Sequence, residues 1–588
     1  MAELRPPLPT AFVSALLILL FALAAPAYSA NHKLDKALQD ARSNGQTGPV
    51  QVIITTTNPD GVRAKLTAKR KKIVADHPTI HAITTVVDSS DLVDLERDPT
   101  VVSVSVDAVV KSHQSASDGS DAIVGLDQLR SIVGSSMTGL TGNGVGVAII
   151  DSGFANIADI HDQIDAFYDF RGGTAKAAAP ADEYGHGTHI AATIGSSGKQ
   201  NAYQFQGIAP RARLIGLRVL GKDGTGLTSN VINALAFATA QKDALGIDII
   251  NLSLGHPIYE SVATDPLVQA VERAVHAGIV VFVSAGNFGI NPVTGERGYG
   301  GITSPGNAPS AITVGATNTS GTLNRFDDVV APYSSSGPSW LDGFAKPDLV
   351  APGHRVVADT NKTTLYNKYT AWRFAPLPGW SGQYVRLSGS SMATAVASGI
   401  AALVIEANRT ALTPMAPLNP YAVKTILEYS ATPLAGVDPL TQGAGEINAA
   451  GAVALTRALD TNSTPPVIAP LELSTMFGSG VEAWSASLIW GAVQLQNLTP
   501  DAAIDGANIV WGDNIVWGDN IVWGDNIVWG DNIVWGDNIV WGDNIVWGDN
   551  IVWGDNIVWG NNIVWGDSLL TSDTESVVAA ACALEACQ

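Results

Sequence analysis

A chain of 588 residues is too long for one compact hydrophobic core, so we expect three or four structural units. The formal net charge is −21, and Arg457 is the last basic residue, so the acidic excess lies towards the C-terminus. Because nucleic-acid binding needs clusters of Lys and Arg, this balance argues against nucleic acid as a partner.

Residues 1–29 are typical of a secretory signal peptide. Arg5 gives a positive start, residues 11–25 are almost wholly apolar, and Ala27-Tyr28-Ser29 supplies the small residues of a cleavage site. The apolar stretch is shorter than the ~20 residues that a membrane-spanning helix needs. We therefore expect a secreted, extracellular protein with no membrane span in the mature chain, with retention at the cell surface as an alternative.

Residues 30–115 are typical of a small α+β domain. The order of predicted elements is β-α-β-α-β, over Gln51–Thr57, Val62–Ala75, Ile80–Val87, Ser89–Asp98 and Thr100–Val110. Ser90 is the expected N-cap of the second helix, because a serine hydroxyl there accepts a hydrogen bond from a free backbone N–H.

Residues 116–459 repeat the order strand, turn, helix. The predicted strands are the apolar runs Val145–Ile150, Leu214–Leu220, Ile247–Leu254 and Ile279–Ser284, and the predicted helices include Val231–Ala244 and Leu267–Ala277. Apolar strands joined by helices indicate an α/β fold, a parallel sheet with helices on both faces. Functional loops lie at the carboxyl ends of such strands, and Asp151 directly follows one.

A hexapeptide repeat follows a linker and degenerate region at residues 460–507. Over residues 508–567 the chain repeats Asn-Ile-Val-Trp-Gly-Asp, with Asn561 once in place of Asp. An even period puts every Ile and Trp on one face of an extended chain, so we expect a β-rich tail that stacks a Trp ladder and exposes a row of Asp. That row suits either structural Ca²⁺ or a solubilising edge.

The only cysteines, Cys582 and Cys587, lie in the C-terminal tail at residues 568–588. In an exported chain they are candidates for a local disulfide, and a pair of exposed thiols is the alternative. Either arrangement would affect the terminus and not the larger domains.

Three short motifs, far apart in the chain, suggest one chemistry. They are Asp151-Ser-Gly, Gly185-His186-Gly-Thr-His189 and Gly389-Ser390-Ser391-Met-Ala. An acid, a base and a nucleophile follow in the order Asp, His, Ser, each beside small residues that allow close backbone packing. A nucleophile at the start of a helix also has free backbone N–H groups beside it.

Each motif has a simpler interpretation. Ser391 could be a helix N-cap. His186 and His189, three residues apart, could bind a metal, although no further His or Cys cluster completes a site. Asp151 could belong to an aspartic-protease loop, but that chemistry needs a second Asp-Ser/Thr-Gly, which this sequence does not contain.

Together the motifs resemble the subtilisin-like serine peptidases, the subtilases or peptidase S8 family. Further matching phrases include Gly207-Ile-Ala-Pro210, Asn251-Leu-Ser-Leu-Gly255 and Ser284-Ala-Gly-Asn287, and the resemblance covers about residues 120–459. It implies a subtilisin-like fold and a secreted serine endopeptidase that hydrolyses polypeptide substrates through an acyl-enzyme. The chemistry requires no cofactor, and no metal ligand is assigned.

The resemblance also implies roles for individual residues. Asp151 orients His186, His186 takes the proton of Ser391, and Asn287 stabilises the oxyanion together with the Ser391 amide. Substrate is expected as an added β-strand along two segments, and the residue before the cut bond in a roomy, apolar-tolerant pocket of broad specificity. The implied substrate-binding residues are Gly224, Gly226, Ser253, Leu254 and Gly255 for the strands, and Ala285 and Gly286 for the pocket.

Residues 30–115 would then be a propeptide, which acts as an intramolecular inhibitor and folding chaperone of its own peptidase domain. The self-cleavage point would lie within Val106–Ser117. A second hypothesis is a surface structural or adhesive repeat protein whose peptidase-like domain is inactive. The complete set of catalytic residues favours the peptidase, because an inactive domain would be free to lose one.

Overall fold

The computed structural model describes most of residues 33–495 and the backbone of the strands within the repeat. The residues outside this description are 1–32, 47, 115–121, 292–293, 376–378, 380, 413–414, 463–466, 491–492, 496–508, the turns between the repeat strands, and 566–588. The predicted signal peptide and the pair Cys582 and Cys587 therefore lie outside the described residues.

The N-terminal unit is a four-stranded antiparallel sheet with helices on one face. Its elements are α1 (Lys36–Ser43), β1 (Val50–Thr56), α2 (Pro59–Ala68), β2 (Ile73–His77), β3 (Ala82–Val87), α3 (Ser89–Arg97), β4 (Val101–Val106) and the separate strand β5 (Val109–Ser112). The sheet order is β2-β3-β1-β4. Val52 and Ile54 pack under the unit's own helices, whereas Ile53, on the other face, joins a core cluster of the following unit.

Three details of this unit differ from the sequence prediction. The helix predicted over Val62–Ala75 ends at Ala68, and Ile73–His77 is a strand with alternating exposed and more buried residues, so the order after α1 is β-α-β-β-α-β. The N-cap of α3 is Asp88, which forms a reciprocal capping box with Asp91, and not Ser90. The run Thr100–Val110 contains two strands that belong to different sheets.

We expect the low pKa of Asp98 to make the N-terminal unit sensitive to acid. The Lys65 ammonium, and then the backbone and side chain of Thr100, hold the pKa of this carboxyl at about 2. A lowered carboxyl pKa contributes stability that is complete above the unfolded value of ~3.9 and is lost as the pH falls through the folded value. As the pH falls from 4 to 2, the protection factors of the β1 and β4 amides, the ratio of the intrinsic to the observed exchange rate, should therefore decrease.

Asp98→Asn tests this origin of the acid sensitivity. The variant should exchange faster than the native chain at pH 7, with a smaller further change between pH 4 and 2. Asp40→Asn, at an exposed carboxylate on α1, is the matched control and should follow the native profile. An Asp98→Asn profile that coincides with the native one would contradict this assignment.

The second unit is built on a large, mostly parallel sheet. Its strands are β6 (Val124–Gly125), β7 (Gly146–Asp151), β8 (Ile164–Asp169), β9 (Lys176–Ala177), β10 (Arg213–Arg218), β11 (Thr225–Leu227), β12 (Ile249–Leu252), β13 (Leu254–Pro257), β14 (Val280–Ser284), β15 (Thr303–Ser304), β16 (Ile312–Asn318), β17 (Val329–Val330), β18 (Leu349–Pro352), β19 (Val356–Asp359) and β20 (Tyr384–Leu387). Its helices are α4 (Leu126–Ile132), α5 (His186–Gly195), α6 (Thr228–Ala240), α7 (Lys242–Leu245), α8 (Pro266–His276), α9 (Thr364–Lys368), α10 (Ser390–Arg409), α11 (Pro420–Tyr429), α12 (Pro439–Gln442) and α13 (Ala449–Ala458).

The large sheet has nine strands in the order β17-β16-β14-β12-β7-β10-β8-β9, with β18 also paired to β16. Pairing is parallel from β8 to β16, and β9 and β17 add antiparallel edges. Alternate residues of β7 enter different cores: Val147 and Ile149 pack with α5 and α10, whereas Ala148 and Ile150 pack with α6 and α8. Burial on both faces explains the continuous apolar runs, and the predicted α/β fold is confirmed.

The chain beyond residue 459 continues to pack on this unit. Short strands β21 (Leu459–Asp460), β22 (Val467–Ile468), β23 (Ser474–Phe477), β24 (Gly480–Ala483), β25 (Leu488–Trp490) and β26 (Val493–Leu495) form three pairs. Trp484 and Leu488 are buried in the main core, and the Ile489 amide donates to a Glu428 oxygen at 2.6 Å. We therefore move the proposed boundary of the packed unit from residue 459 to about residue 490.

The repeat contributes ten short strands. They are β27 (Ile509–Trp511), β28 (Ile515–Trp517), β29 (Ile521–Trp523), β30 (Asn526–Trp529), β31 (Ile533–Trp535), β32 (Ile539–Trp541), β33 (Asn544–Trp547), β34 (Ile551–Trp553), β35 (Ile557–Trp559) and β36 (Ile563–Trp565). The first pairs are parallel and three repeats apart, such as Ile509 with Ile527. The Trp ladder and the Asp row concern side chains outside the description and stay predictions.

Candidate active site

Asp151 and His186 meet at the carboxyl end of the central sheet. Strand β7 ends at Asp151, and α5 begins at His186, so both side chains lie at the same edge. His186 Nδ1 lies 2.9 Å from both carboxylate oxygens of Asp151, and both residues are fully buried. Because an ionised carboxylate only accepts hydrogen bonds, the neutral ring carries its proton on Nδ1 and leaves Nε2 as the basic nitrogen.

The glycines on either side of His186 allow this approach. Gly185 has φ of +110°, and a Cβ on it would lie 2.1 Å from the Thr363 hydroxyl oxygen. A Cβ on Gly187 would lie 1.9 Å from the Gly153 carbonyl oxygen. The Gly-His-Gly motif is therefore a packing requirement of the site.

Asp182 supports the start of α5, and sequence reasoning missed it. Its carboxylate accepts hydrogen bonds from the amides of Gly185 at 2.8 Å and Thr188 at 2.9 Å. These are backbone donors that a helix start leaves unpaired. An acidic residue four positions before His186 was the available signal.

Ser391 lies in the first turn of α10. Gly389 is the N-cap, so the interpretation of Ser391 as an N-cap is wrong. The Ser391 hydroxyl donates to the Ser253 carbonyl at 3.0 Å. Among the residues that the structure describes, none forms a hydrogen bond with His186 Nε2, so Ser391 and His186 are not hydrogen-bonded to each other here.

Helix α10 also meets the length and apolarity criteria for a membrane-spanning helix. It is the one helix in the described part of the chain that does so, and its apolar window is entirely buried within the protein. It therefore has the character of a core helix that carries Ser391 at its N-terminal end.

Asn287 follows β14, and its amide group is held in one orientation. Its Oδ1 accepts from the backbone amide and the hydroxyl of Ser390, each at 3.0 Å. Its Nδ2 is buried, and no acceptor within the described residues reaches it. An unpaired buried donor costs about 1–3 kcal/mol and is unusual unless it serves a ligand or a developing charge. Ser390, which sequence reasoning did not assign, is the residue that fixes this orientation.

Strands β11 and β13, which carry predicted substrate-binding residues, form a cleft, and residues 109–113 of the same chain lie in it. Strand β5 is antiparallel to both neighbours in a sheet of order β11-β5-β13-β15. Gly226 pairs with Val110, and Gly255 with Lys111. The Ser112 amide donates to the Gly224 carbonyl at 3.3 Å.

The pocket prediction needs one adjustment. Ala285 is buried and its carbonyl accepts from Thr303, while the Gly286 amide donates to the Ser390 hydroxyl at 3.2 Å. The side chain held in the cleft, His113, bonds instead to Ser284, one residue before the predicted pair. The pocket therefore contains a polar group that the small-residue pattern did not reveal.

The metal interpretation of His186 and His189 does not fit the geometry. His189 Nε2 lies 3.0 Å from the Val356 carbonyl oxygen, and burial lowers the pKa of His189 to about 3. Across the described residues, no group of three or more His, Cys, Asp or Glu side chains could hold a metal ion. Structural Ca²⁺ in the repeat stays a prediction.

The fold and the site define a subtilisin-type serine peptidase, and the comparisons agree. The model of the Subtilase family (peptidase S8) matches residues 142–480. The chain is 37% identical to serine protease AprX of Bacillus subtilis over 319 residues, 53% of this chain and 67% of that protein. It is 30% identical to subtilisin E of Bacillus subtilis over 349 residues, 59% of this chain and 76% of that protein.

A solved structure shows the same fold at lower sequence identity. Fervidolysin from Fervidobacterium pennivorans, described as a keratinolytic enzyme related to subtilisin, superposes with a TM-score of 0.53 at 19% identity. The match covers 70% of this chain and spans 61% of that structure's length. The chain belongs to the subtilase family and is a subtilisin-like serine endopeptidase.

Proposed function

We propose that the protein is an extracellular endopeptidase that acts through an acyl-enzyme on Ser391 and is made as a self-processing zymogen. One observation carries the chemistry: Asn287, whose buried Nδ2 has no partner among the described residues, is held through its Oδ1 by Ser390, the residue next to Ser391 in the first turn of α10. The buried Asp151–His186 pair supports the assignment of the base. The repeat-protein alternative is not favoured, since an inactive domain would have no reason to keep this unpaired donor.

In the proposed reaction, the Ser391 hydroxyl leaves the Ser253 carbonyl and turns to His186 Nε2, which has no other hydrogen-bond partner among the described residues. His186 Nε2 takes the Ser391 hydroxyl proton while Ser391 Oγ bonds to the carbonyl carbon of the substrate. Asn287 Nδ2 and the Ser391 amide donate to the oxyanion that develops. As the C–N bond breaks, His186 returns the proton to the leaving amine, and water then hydrolyses the acyl-enzyme by the same steps in reverse.

The N-terminal unit is proposed as the propeptide, and its contacts support an inhibitory role. The Asp107 carboxylate accepts from the amide and the hydroxyl of Ser229, at 2.8 and 2.7 Å, in the first turn of α6. The Lys36 amide donates to the Tyr259 carbonyl at 2.9 Å. With β5 occupying the cleft, other polypeptides could not pair there until this unit is released.

The nucleophile can be tested by covalent labelling. An organofluorophosphate should modify one peptide of the mature native chain, the one that contains Ser391, and should leave the Ser391→Ala chain unmodified. A folded mature chain that gains no adduct would contradict the acyl-enzyme proposal. A propeptide-bound chain that labels more slowly than the released form would support inhibition by the N-terminal unit.

Replacing Asn287 with leucine should lower kcat about 10²- to 10³-fold and change KM little. The side chains are similar in size, but leucine has no donor for the oxyanion, which forms only after substrate binds. Steady-state kinetics on a peptide substrate measures both constants. Asn367→Leu, at an exposed asparagine on α9, is the control and should match the native enzyme. A main effect on KM would assign Asn287 to ground-state binding instead.

A further inference from the structure

Residues 109–113 lie in the cleft, and two of their side chains are buried. Val110 is fully buried in the cluster that contains Leu220 and Leu254, Lys111 is exposed, and His113 is buried again. Two buried side chains with an exposed Lys111 between them are what an extended peptide shows when pockets of the enzyme enclose some of its side chains. Val110 and His113 are thus the two side chains of the segment that the peptidase unit encloses.

The peptide bond after His113 lies beside the nucleophile. The Ser253 carbonyl accepts both the Ser391 hydroxyl and the His113 amide, at 3.0 and 3.3 Å. The Ser391 amide donates to the His113 carbonyl at 3.4 Å. One oxyanion donor thus already contacts the carbonyl that the reaction would attack.

The atoms around Gly389 identify the same peptide bond by a second observation. A Cβ built on Gly389 would lie 2.2 Å from the His113 carbonyl oxygen, 3.1 Å from Asn287 Nδ2 and 3.1 Å from Gln114 Cα. The His113 carbonyl, the second oxyanion donor and the first residue after the bond therefore surround a single point. No other peptide bond of the cleft segment has these contacts among the described residues.

The His113 ring lies in a pocket that contains the Ser284 hydroxyl. Its Nδ1 lies 2.7 Å from Ser284 Oγ, and a Cβ on Gly255 would lie 2.8 Å from its Cε1. A hydroxyl both donates and accepts, so it can bond a neutral imidazole in either tautomer. Leucine or phenylalanine in the same position would leave the Ser284 hydroxyl, among the described residues, with only the distant Leu252 carbonyl, at 3.5 Å.

The pocket disfavours a charged imidazolium. Burial, and then the two facing histidines His186 and His256, lower the pKa of His113 to about 3. Ser284 and Gly255, which also lie against the ring, carry no charge that could compensate.

We propose that the chain cleaves itself between His113 and Gln114, and that Ser284 makes the pocket select a neutral histidine before the cut bond. The preferred substrates are polypeptides with this histidine and an aliphatic residue three positions earlier, as Val110 is. In the step, Ser391 Oγ bonds to the His113 carbonyl carbon, the bond to Gln114 N breaks, and that nitrogen takes its proton from His186. Water then releases His113 as a carboxylate. The inference rests on the proposed peptidase function and replaces the broad, apolar-tolerant pocket expected from the sequence.

The cut bond is tested on the full-length precursor by intact mass spectrometry of the released N-terminal fragment. The fragment from the native chain should end at His113, and the Ser391→Ala precursor should release none. A fragment that ends elsewhere would overturn the assignment of the bond while leaving the peptidase function intact. Failure of the native chain to process itself or to hydrolyse any peptide would overturn the proposed function itself.

The selectivity is tested with two peptides that contain Val-Lys-Ser-His-Gln and Val-Lys-Ser-Leu-Gln. The native enzyme should prefer the histidine peptide, and Ser284→Ala should lower the ratio of the two kcat/KM values about tenfold, the size of one hydrogen bond. Ser284→Thr keeps the hydroxyl and should retain the preference. An unchanged ratio in Ser284→Ala would overturn the role of Ser284, and continued hydrolysis of the leucine peptide would show that the enzyme itself is intact.

The same ratio should depend on pH. The free histidine peptide becomes protonated below its ordinary pKa of ~6.5, while the bound ring must stay neutral, so the ratio should be constant above about pH 7.5 and fall roughly tenfold per unit below pH 6. Both peptides are cut by the same catalytic groups, so any pH dependence of those groups cancels in the ratio. A ratio that does not change between pH 5 and 8 would contradict selection of the neutral ring.

Discussion

A precursor in which Ser391 is replaced by alanine should stay full length and hydrolyse no peptide above background. Ser391→Ala removes the oxygen that bonds to the acyl carbon and leaves Asp151 and His186 in place, and such a loss lowers kcat on the order of 10⁶-fold. Among the described residues, the one hydrogen bond lost with the hydroxyl goes to the Ser253 carbonyl, so the thermal unfolding temperature should change by only a few degrees. Intact mass over time and peptide hydrolysis measure the two effects.

Ser430→Ala is the matched control for this variant. Ser430 is also a buried serine, at the end of α11, and its hydroxyl bonds to the Ile426 carbonyl at 2.7 Å, outside the site. It should process itself and hydrolyse peptides like the native chain. A purified Ser391→Ala chain that matures at the native rate would contradict Ser391 as the nucleophile.

Asp151→Asn should lower kcat about 10⁴-fold while the protein stays folded. The Ser152 amide donates to Asp151 Oδ1 at 2.6 Å, and this bond would hold the asparagine oxygen in place. The new amide nitrogen would then face His186 Nδ1 and force the ring proton onto Nε2. That tautomer cannot take the proton of Ser391, so the loss should appear in kcat.

Peptide kinetics with Asp162→Asn as the control checks this prediction. Asp162 is exposed and pairs with Lys199, so its loss should leave kcat unchanged within about twofold. An Asp151→Asn enzyme with more than a tenth of native activity would show that the carboxylate does not fix the tautomer of His186.

The sequence predicted those features that depend only on residues close together in the chain. The apolar run before Asp151 is a strand buried on both faces, and this pattern identified β7 and the parallel sheet around it. Small residues around His186 and Ser391 marked positions where backbone approaches closely, and the structure gives the distances that make them necessary. These signals lie within a few residues of the feature that they indicate.

Long-range packing decided what the sequence left open or predicted incorrectly. Strand Ile73–His77 followed a helical, basic stretch and became a strand because it pairs with β3. The run after Thr100 looked like one strand, but β5 leaves the N-terminal sheet to pair with β11 and β13. Residues after 459 looked like a linker, yet Trp484 is buried in the main core.

The sequence by itself determined the class of chemistry, because the motifs around Asp151, His186 and Ser391 carry their chemical context within a few neighbouring residues. Only the tertiary structure decided which peptide bond lies at Ser391 and which side chain, Ser284, contacts the residue before it. Those two facts depend on pairing between segments more than a hundred residues apart, such as Ser284 with His113. No local pattern encodes such a distance, since it results from the packing of the whole chain.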